Sequence, residues 1–412
     1  MNRSGHADLP LHYGSVPPWL AQRMSRLGGA IIESIAMEYG KSEVMKRMSD
    51  PMWFQALGCV LGMDWHSSGI TTSVMGALKK SINPISKELG IYICGGKGKF
   101  SRETPTELMR IADATGINGT ELVRASKLSA KIDNTAIQDG FQLYLHSFIV
   151  SNEGEWAVVQ QGMNDASGMA RRYHWHSGQL TSFINDPHTS VVGQNQGMIL
   201  NLVDKKASKT QEGILQISAE GPERMMPEVR KIIMPRHHDV RKEDVNLKRL
   251  GTVLALAQEK DVHKFEDLLL LQGLGPRTLQ SLTLVSEVIH GTPSRFADPA
   301  RFSFAHGGKD GHPFPVPTKV YDETIETLKN AVEKAKIGHT DKQAALKSLH
   351  KIAESMEADF EPNNNFDALI AKERDESYKY GGRTVFGKAE PPEKGRERQL
   401  DLFEGNTNPQ TK

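Results

Sequence analysis

The sequence predicts an α+β fold: a mixed helical and β-hairpin N-terminal region, then an all-α module, then a disordered tail. Three observations lead there. Apolar residues recur at helical spacing over 17–60. Two β-rich runs flank "SNEG" at 151–154 and read as a hairpin. Helical periodicity returns from about residue 240, and beyond 373 the chain is charged and poor in aliphatics. A chain of 412 residues is too long for one small core. The expected division is 1–230, a mixed α/β domain with the functional site; 235–370, a helical domain with a helical hairpin at 265–290; and 373–412, a disordered tail.

Each element has a local reason. "PPWLAQRMSRLGGAIIESIAMEYG" opens with Pro, which suits the first helical turn. "GMDWHSSGITTSVMGALKKSI" reads as a Gly/Ser-rich loop opening a helix. "YICGGKGKFSRETPTELMRIAD" reads as a strand, a Gly-rich loop and a helix capped by Thr104 or Thr106. "GTELVRASKLSAKIDNTAIQD" continues as helix. "FQLYLHSFIV" and "EWAVVQQGM" form the hairpin, and "QLTSFIN", "GMILNLV" and "GILQIS" are expected to add short strands. Helices return in "LKRLGTVLALAQEKD", "KFEDLLLL" and "RTLQSLTLVSEVIHG". A Pro/Gly/His-rich connector at 291–317 then leads to one long helix over roughly 320–357.

Composition excludes several classes. Lys+Arg number 51 against 50 Asp+Glu, so any nucleic-acid surface must be a local patch. Cys59 and Cys94 make neither a disulfide framework nor a metal spacing, which suits a reducing cytoplasm. No apolar h-region or membrane-length run occurs, so no membrane partner is expected. "GGKGK" lacks the phosphate-loop spacing, so no nucleotide cofactor is expected, although Lys97 and Lys99 can meet a nucleic-acid phosphate.

Residues 131–176 concentrate side chains capable of chemistry. Asp133, Asp139, His146, Gln161, Arg171, His174 and His176 form the expected catalytic set. His174 and His176 fall on one face of a strand, where two imidazoles can hold a metal or a phosphate. Arg171 can grip phosphate in a bidentate manner. A carboxylate from Asp133 or Asp139 would complete a site for a divalent metal ion, as a metal-dependent nuclease requires. The bland alternative is a polar hairpin surface with satisfied side chains. His6, Asp8 and His12 lie near the start of the chain, and a basic stretch over 234–250 adjoins the helical hairpin.

"QGLGPRTLQ", 272–280, resembles the helix-hairpin-helix that grips DNA backbone in many repair enzymes. Gly273 and Gly275 allow a tight turn and close approach of a phosphate. The second helix aims its free N–H groups at that phosphate, with Arg277 and Thr278 adding a charge and a hydroxyl. About 50 surrounding residues resemble the helix-hairpin-helix DNA glycosylases. Arg277 stands where some of those enzymes carry a lysine nucleophile, and a guanidinium cannot take that role. Asp298 has fair spacing for their catalytic Asp but the wrong neighbours, so the resemblance implies DNA binding without glycosylase chemistry.

In the tail, "QLDLF" is similar to the linear motif by which bacterial polymerases and repair proteins bind the replication sliding clamp. The resemblance maps onto Gln399, Leu400, Asp401, Leu402 and Phe403. Over most of its length the chain resembles an uncharacterised prokaryotic family, domain of unknown function seven-six-three. The text that carries this includes "SGHADLPLHYGSVPPWL", "MDWHSSGITTS", "QDGFQLYLHSFIV", "ARRYHWHS" and "HGGKDGHPFPVPTKVYDETI". Together these features lead to the expectation of a cytoplasmic, nucleoid-associated DNA-repair or replication protein, a nuclease or other lesion-processing enzyme. Its expected partners are duplex DNA and the bacterial sliding clamp. The alternatives are a non-enzymatic DNA-binding adaptor and an RNA-processing protein.

Overall fold

A computed structural model describes residues 16–63, 68–165, 167–232, 247–292, 294–300, 318–357, 383–384 and 387–388. The expected α+β class is what it shows. Helix α1 (Pro18–Tyr39) buries Met24, Gly28, Ile31, Ile32 and Ile35 along one stripe. Helices α2 (Lys41–Met48), α3 (Pro51–Val60) and α4 (Gly69–Ile82) follow. Asp50 caps α3 by accepting from the Met52 and Trp53 amides at 2.8 and 3.0 Å. Every residue of α3 is buried, which explains its continuous apolar run. A Cβ at Gly28 would stand 2.9 Å from Leu78, so a glycine lets α1 lie close on α4.

A short turn, α5 (Ser86–Leu89), leads into the sheet. Its strands are β1 (Ile91–Lys97), β3 (Gln142–Ser151), β4 (Trp156–Asn164), β5 (Met169–His176) and β6 (Ser190–Val192). Helices α6 (Thr104–Thr115) and α7 (Gly119–Lys131) and the two-residue strand β2 (Ile137–Gln138) lie between β1 and β3. The order is β1-β3-β4-β5-β6, antiparallel throughout. The "SNEG" hairpin forms as expected, with Gly154 at φ 89 and the Ser151 amide on the Glu155 carbonyl at 2.8 Å.

Both faces of this sheet are covered, so its strands are apolar on both sides. One core joins Phe148, Val158 and Trp175 to Leu128 of α7. It also takes residues of α8 (Ser208–Ile232), α9 (Leu247–Glu259), α10 (Phe265–Leu269) and α11 (Pro276–His290). The other core joins Ile149, Ala157 and Val159 to α1–α4, α12 (Thr318–Lys334) and α13 (His339–Glu357). The buried clusters therefore follow the two faces of the sheet, and the expected boundary near 230–235 does not separate them. A separate unit, Lys309–Gly311 with Glu361–Lys412, is described only at Arg383–Thr384 and Gly387–Lys388, which pair antiparallel. The clamp-like motif at 399–403 lies outside the described residues, as do His6, Asp8, His12 and residues 234–246.

Several local expectations are corrected. "GILQIS" is helical within α8, where Ile214 and Ile217 face the core three residues apart. "QLTSFIN" forms no strand, and "GMILNLV" contributes only β7 (Leu200–Asn201), paired with β2. The long helix expected over 320–357 is two, broken around Gly338. Gly95 and Gly96 belong to β1, opposite Ser147 and His146, and Thr104 starts α6 without a side-chain cap bond.

Candidate functional site

The period of two divides the expected catalytic residues between the faces of the sheet. Gln161, His174 and His176 lie on the α1–α4 face. His146 and Arg171 lie on the α7–α11 face, where Asp133 and Asp139 meet them. These seven residues therefore do not make one site.

The His174 ring has Nδ1 on the Met48 carbonyl at 3.2 Å, and its Nε2 accepts from Arg172 Nε at 2.9 Å. Burial, and then the Arg172 guanidinium, push its imidazole well below the usual range. His176 Nε2 meets Glu155 at 2.8 Å. Though both imidazoles share a face, as expected, their bonded nitrogens face separate partners and do not converge on a metal. Among the described residues no group of three or more His, Cys, Asp or Glu side chains is placed to hold a metal ion. Gln161 donates to the Ser68 carbonyl at 3.0 Å and to Tyr144 Oη at 2.6 Å.

Arg171 is engaged in an ion cluster. It reaches Asp139 at 3.0 Å, takes both oxygens of Asp298 at 3.0 and 2.7 Å, and donates to the Gln194 carbonyl at 2.6 Å. Burial disfavours its charge, but the two carboxylates raise its pKa above the ordinary value. Burial lifts Asp139 to about 6 against the pull of Arg171 and the Tyr173 hydroxyl. This guanidinium is fully buried, so the phosphate-gripping role expected of it is replaced by a structural one.

The remaining pair, Asp133 and His146, belongs to a second network. A π-turn at Ile132–Ala136 follows α7 and carries Asp133 into the interior. There Asp133 accepts from Gln160 Nε2 at 2.6 Å and Trp175 Nε1 at 3.0 Å, and it meets His188 Nε2. Since Gln160 Nε2 is committed to Asp133, its Oε1 faces His146 Nδ1 at 2.8 Å. An amide oxygen only accepts, so Nδ1 carries the proton and Nε2 presents its lone pair. That lone pair faces Ser126 Oγ at 2.8 Å. Burial pushes the His146 imidazole down to about 4, so it is neutral at pH 7.

Ser126 and His146 line a cleft of about 170 Å³ together with Arg102, Pro105, Lys127 and Tyr144. Lys97 lies beside it at the end of β1, 5.8 Å from the Tyr144 ring centre. Lys99 stands over Phe100 at 5.5 Å. A larger hollow of about 250 Å³ beside α10 contains no comparable nucleophile and base.

The helical hairpin is present at the expected place, between α10 and α11. Gly273 turns the chain at φ 87, and no atom lies within 4 Å of where its Cβ would be. The hairpin carbonyls are held from within: Lys131 Nζ donates to Leu274, Arg249 Nε to Gly273 at 3.0 Å, and Gln138 Nε2 to Pro276 at 2.9 Å. Burial, and then nearby Arg249, lower the Lys131 pKa. Arg277 is exposed, whereas Thr278 is buried. Helix α7 links the two regions, since Lys127 lines the cleft and Lys131 lies one turn further on.

The sequence reading missed Ser126 and His188, which carry no motif, and assigned Asp298 no structural role. No helix among the described residues is long and apolar enough to cross a membrane. A model of the family described as "Protein of unknown function (DUF763)" matches residues 5–316. No curated protein matches the chain, and no solved structure does.

Proposed function

The chain belongs to the DUF763 family, and from its own geometry we propose that it binds the backbone of duplex DNA as a protein of repair or replication. The supporting observation is the positive cluster at the hairpin. Lys131 and Arg249 both rest on carbonyls of the turn, and exposed Arg277 stands in the first turn of α11. Burial first, and then the neighbouring Arg249 guanidinium, disfavour the Lys131 charge, and a bound phosphate would relieve that. The N-terminal amides of α11 add their dipole to that attraction. Such contacts position a duplex without reading its sequence.

In this reading the protein is a lesion-processing enzyme of the nucleoid, held near its substrate by the 399–403 motif on the sliding clamp. A weak tether of this kind raises local concentration without fixing the globular part. Binding of a fluorescent duplex across a salt series tests the DNA reading. Arg277→Ala is expected to weaken binding equally on unrelated sequences and to reduce the salt slope by about one. An unchanged slope overturns the hairpin as the contact, and tighter binding to single-stranded RNA overturns duplex DNA as the target.

A further inference from the structure

We infer that Ser126 is a nucleophile activated by His146 and that the cleft over them accepts a phosphodiester. The inference takes its substrate class from the DNA-backbone reading, and its chemistry from the pair itself.

A serine inside a helix usually returns its hydroxyl to a carbonyl of the preceding turn. Ser81, Ser218 and Ser281 do so here, each on the carbonyl four residues back. Ser126 departs from that habit and points at an imidazole nitrogen, 2.8 Å away. The imidazole is in the tautomer a general base needs, because anchored Gln160 accepts from its other nitrogen. A buried serine–imidazole pair with no access would be only a satisfied network. Ser126 and His146 are themselves only 3 % and 5 % exposed, and what distinguishes them is that both line the floor of a cleft that Arg102, Lys127 and Tyr144 also border.

The surroundings select the substrate class. Arg102 and Lys127 line the cleft, both exposed, and neither is paired with a carboxylate among the described residues. Pro105, in the first turn of α6, also lines it, so the positive end of that helix faces the same space. Cations and a helix N-terminus around a nucleophile favour an anionic phosphoryl centre over a neutral acyl one.

The step balances without a further reactant beyond water. Ser126 Oγ attacks phosphorus as its proton passes to His146 Nε2. The bond from phosphorus to the leaving alkoxide oxygen breaks, and that oxygen takes the proton from the imidazolium. The products are an alcohol end and a phosphoseryl diester. Water then attacks phosphorus, its proton passing to Nε2. The Ser126 oxygen leaves and recovers that proton, freeing a phosphomonoester.

The test uses the full chain and probes that carry no nucleic acid, so it reads the pair independently of hairpin binding. An alkyl fluorophosphonate loses fluoride when a serine attacks its phosphorus. Peptide mass mapping is expected to place the adduct on Ser126, with labelling slowed about a hundredfold or more in His146→Gln. Release of p-nitrophenolate from bis(p-nitrophenyl) phosphate is expected to vanish in Ser126→Ala, whose unchanged melting curve would show that it folds. No adduct on Ser126 in the unmodified protein overturns the inference, whatever the DNA titration shows. Labelling at full rate in His146→Gln removes His146 as the base. Labelling without diester turnover overturns the substrate class.

Discussion

Arg171 on β5 meets Asp298, 127 residues further along the chain, through two bonds of 3.0 and 2.7 Å between guanidinium and carboxylate. Asp298 also accepts from the Gln196 and Ala300 amides, at 2.7 and 2.8 Å. The pair thereby ties segment 294–300, beyond α11, to the central sheet.

Asp298→Ala leaves the fully buried guanidinium with Asp139 as its remaining carboxylate. Breaking a buried pair on one side costs about 3–5 kcal/mol. A shift of that size in urea-unfolding free energy is expected, and a change within about 0.5 kcal/mol would show that the pair does not hold this segment.

Gly95→Ala tests the approach of β1 to the site strand. Gly95 sits at φ 79, and a Cβ there would meet the His146 carbonyl and come within 2.5 Å of Thr104 Oγ1. Left-handed strain and overpacking together predict a loss of about 2–4 kcal/mol. Because the clash is with His146 itself, fluorophosphonate labelling should fall as well, at temperatures where the variant is still folded.

Acid should destabilise the protein through its buried imidazoles. His146 falls from 6.5 to about 4 on folding, and burial and the Arg172 guanidinium hold His174 well below its ordinary value too. Below pH 6.5 the unfolded chain takes up these protons and the folded chain does not. This stabilising contribution is complete above 6.5 and is lost as pH falls toward 4. For His146 alone it amounts to about 3 kcal/mol. Asp139, lifted to about 6, binds its proton first in the fold and offsets part of the loss between 6 and 3.8. Melting temperatures from pH 7.5 to 4.5 should decline, and His146→Gln should flatten the decline if His146 supplies it.

The 399–403 motif is tested by titrating purified bacterial sliding clamp with the full chain. Leu402 and Phe403 each stabilise a bound state by about 1.5–3 kcal/mol when buried, less the cost of ordering the tail. That falls short of the about 8 kcal/mol that micromolar affinity needs, so weak binding is expected, and Leu402→Ala with Phe403→Ala should abolish it. Equal binding by the double variant would remove "QLDLF" as the contact.

Legibility follows the range of the interaction. Helix α1 was readable because its apolar stripe recurs every three or four residues, and the Ser151–Gly154 turn because Gly154 marks it locally. "GILQIS" was misread because six residues cannot separate a strand from a helical stripe when only Ile214 and Ile217 carry the signal. The helical hairpin was readable because Gly273, Gly275 and Pro276 specify it within four positions.

By itself the sequence determined the α+β class, the β3–β4 hairpin and the α10–α11 corner, since periodicity and turn residues act between near neighbours. Tertiary structure alone decided which polar side chains meet. It placed His174 and His146 on opposite faces of one sheet, paired Arg171 with Asp298, and brought Ser126 of a helix onto His146 of a strand. The reason is that strand register and packing bring together residues distant in sequence, and burial then forces each polar group onto whichever partner lies within reach.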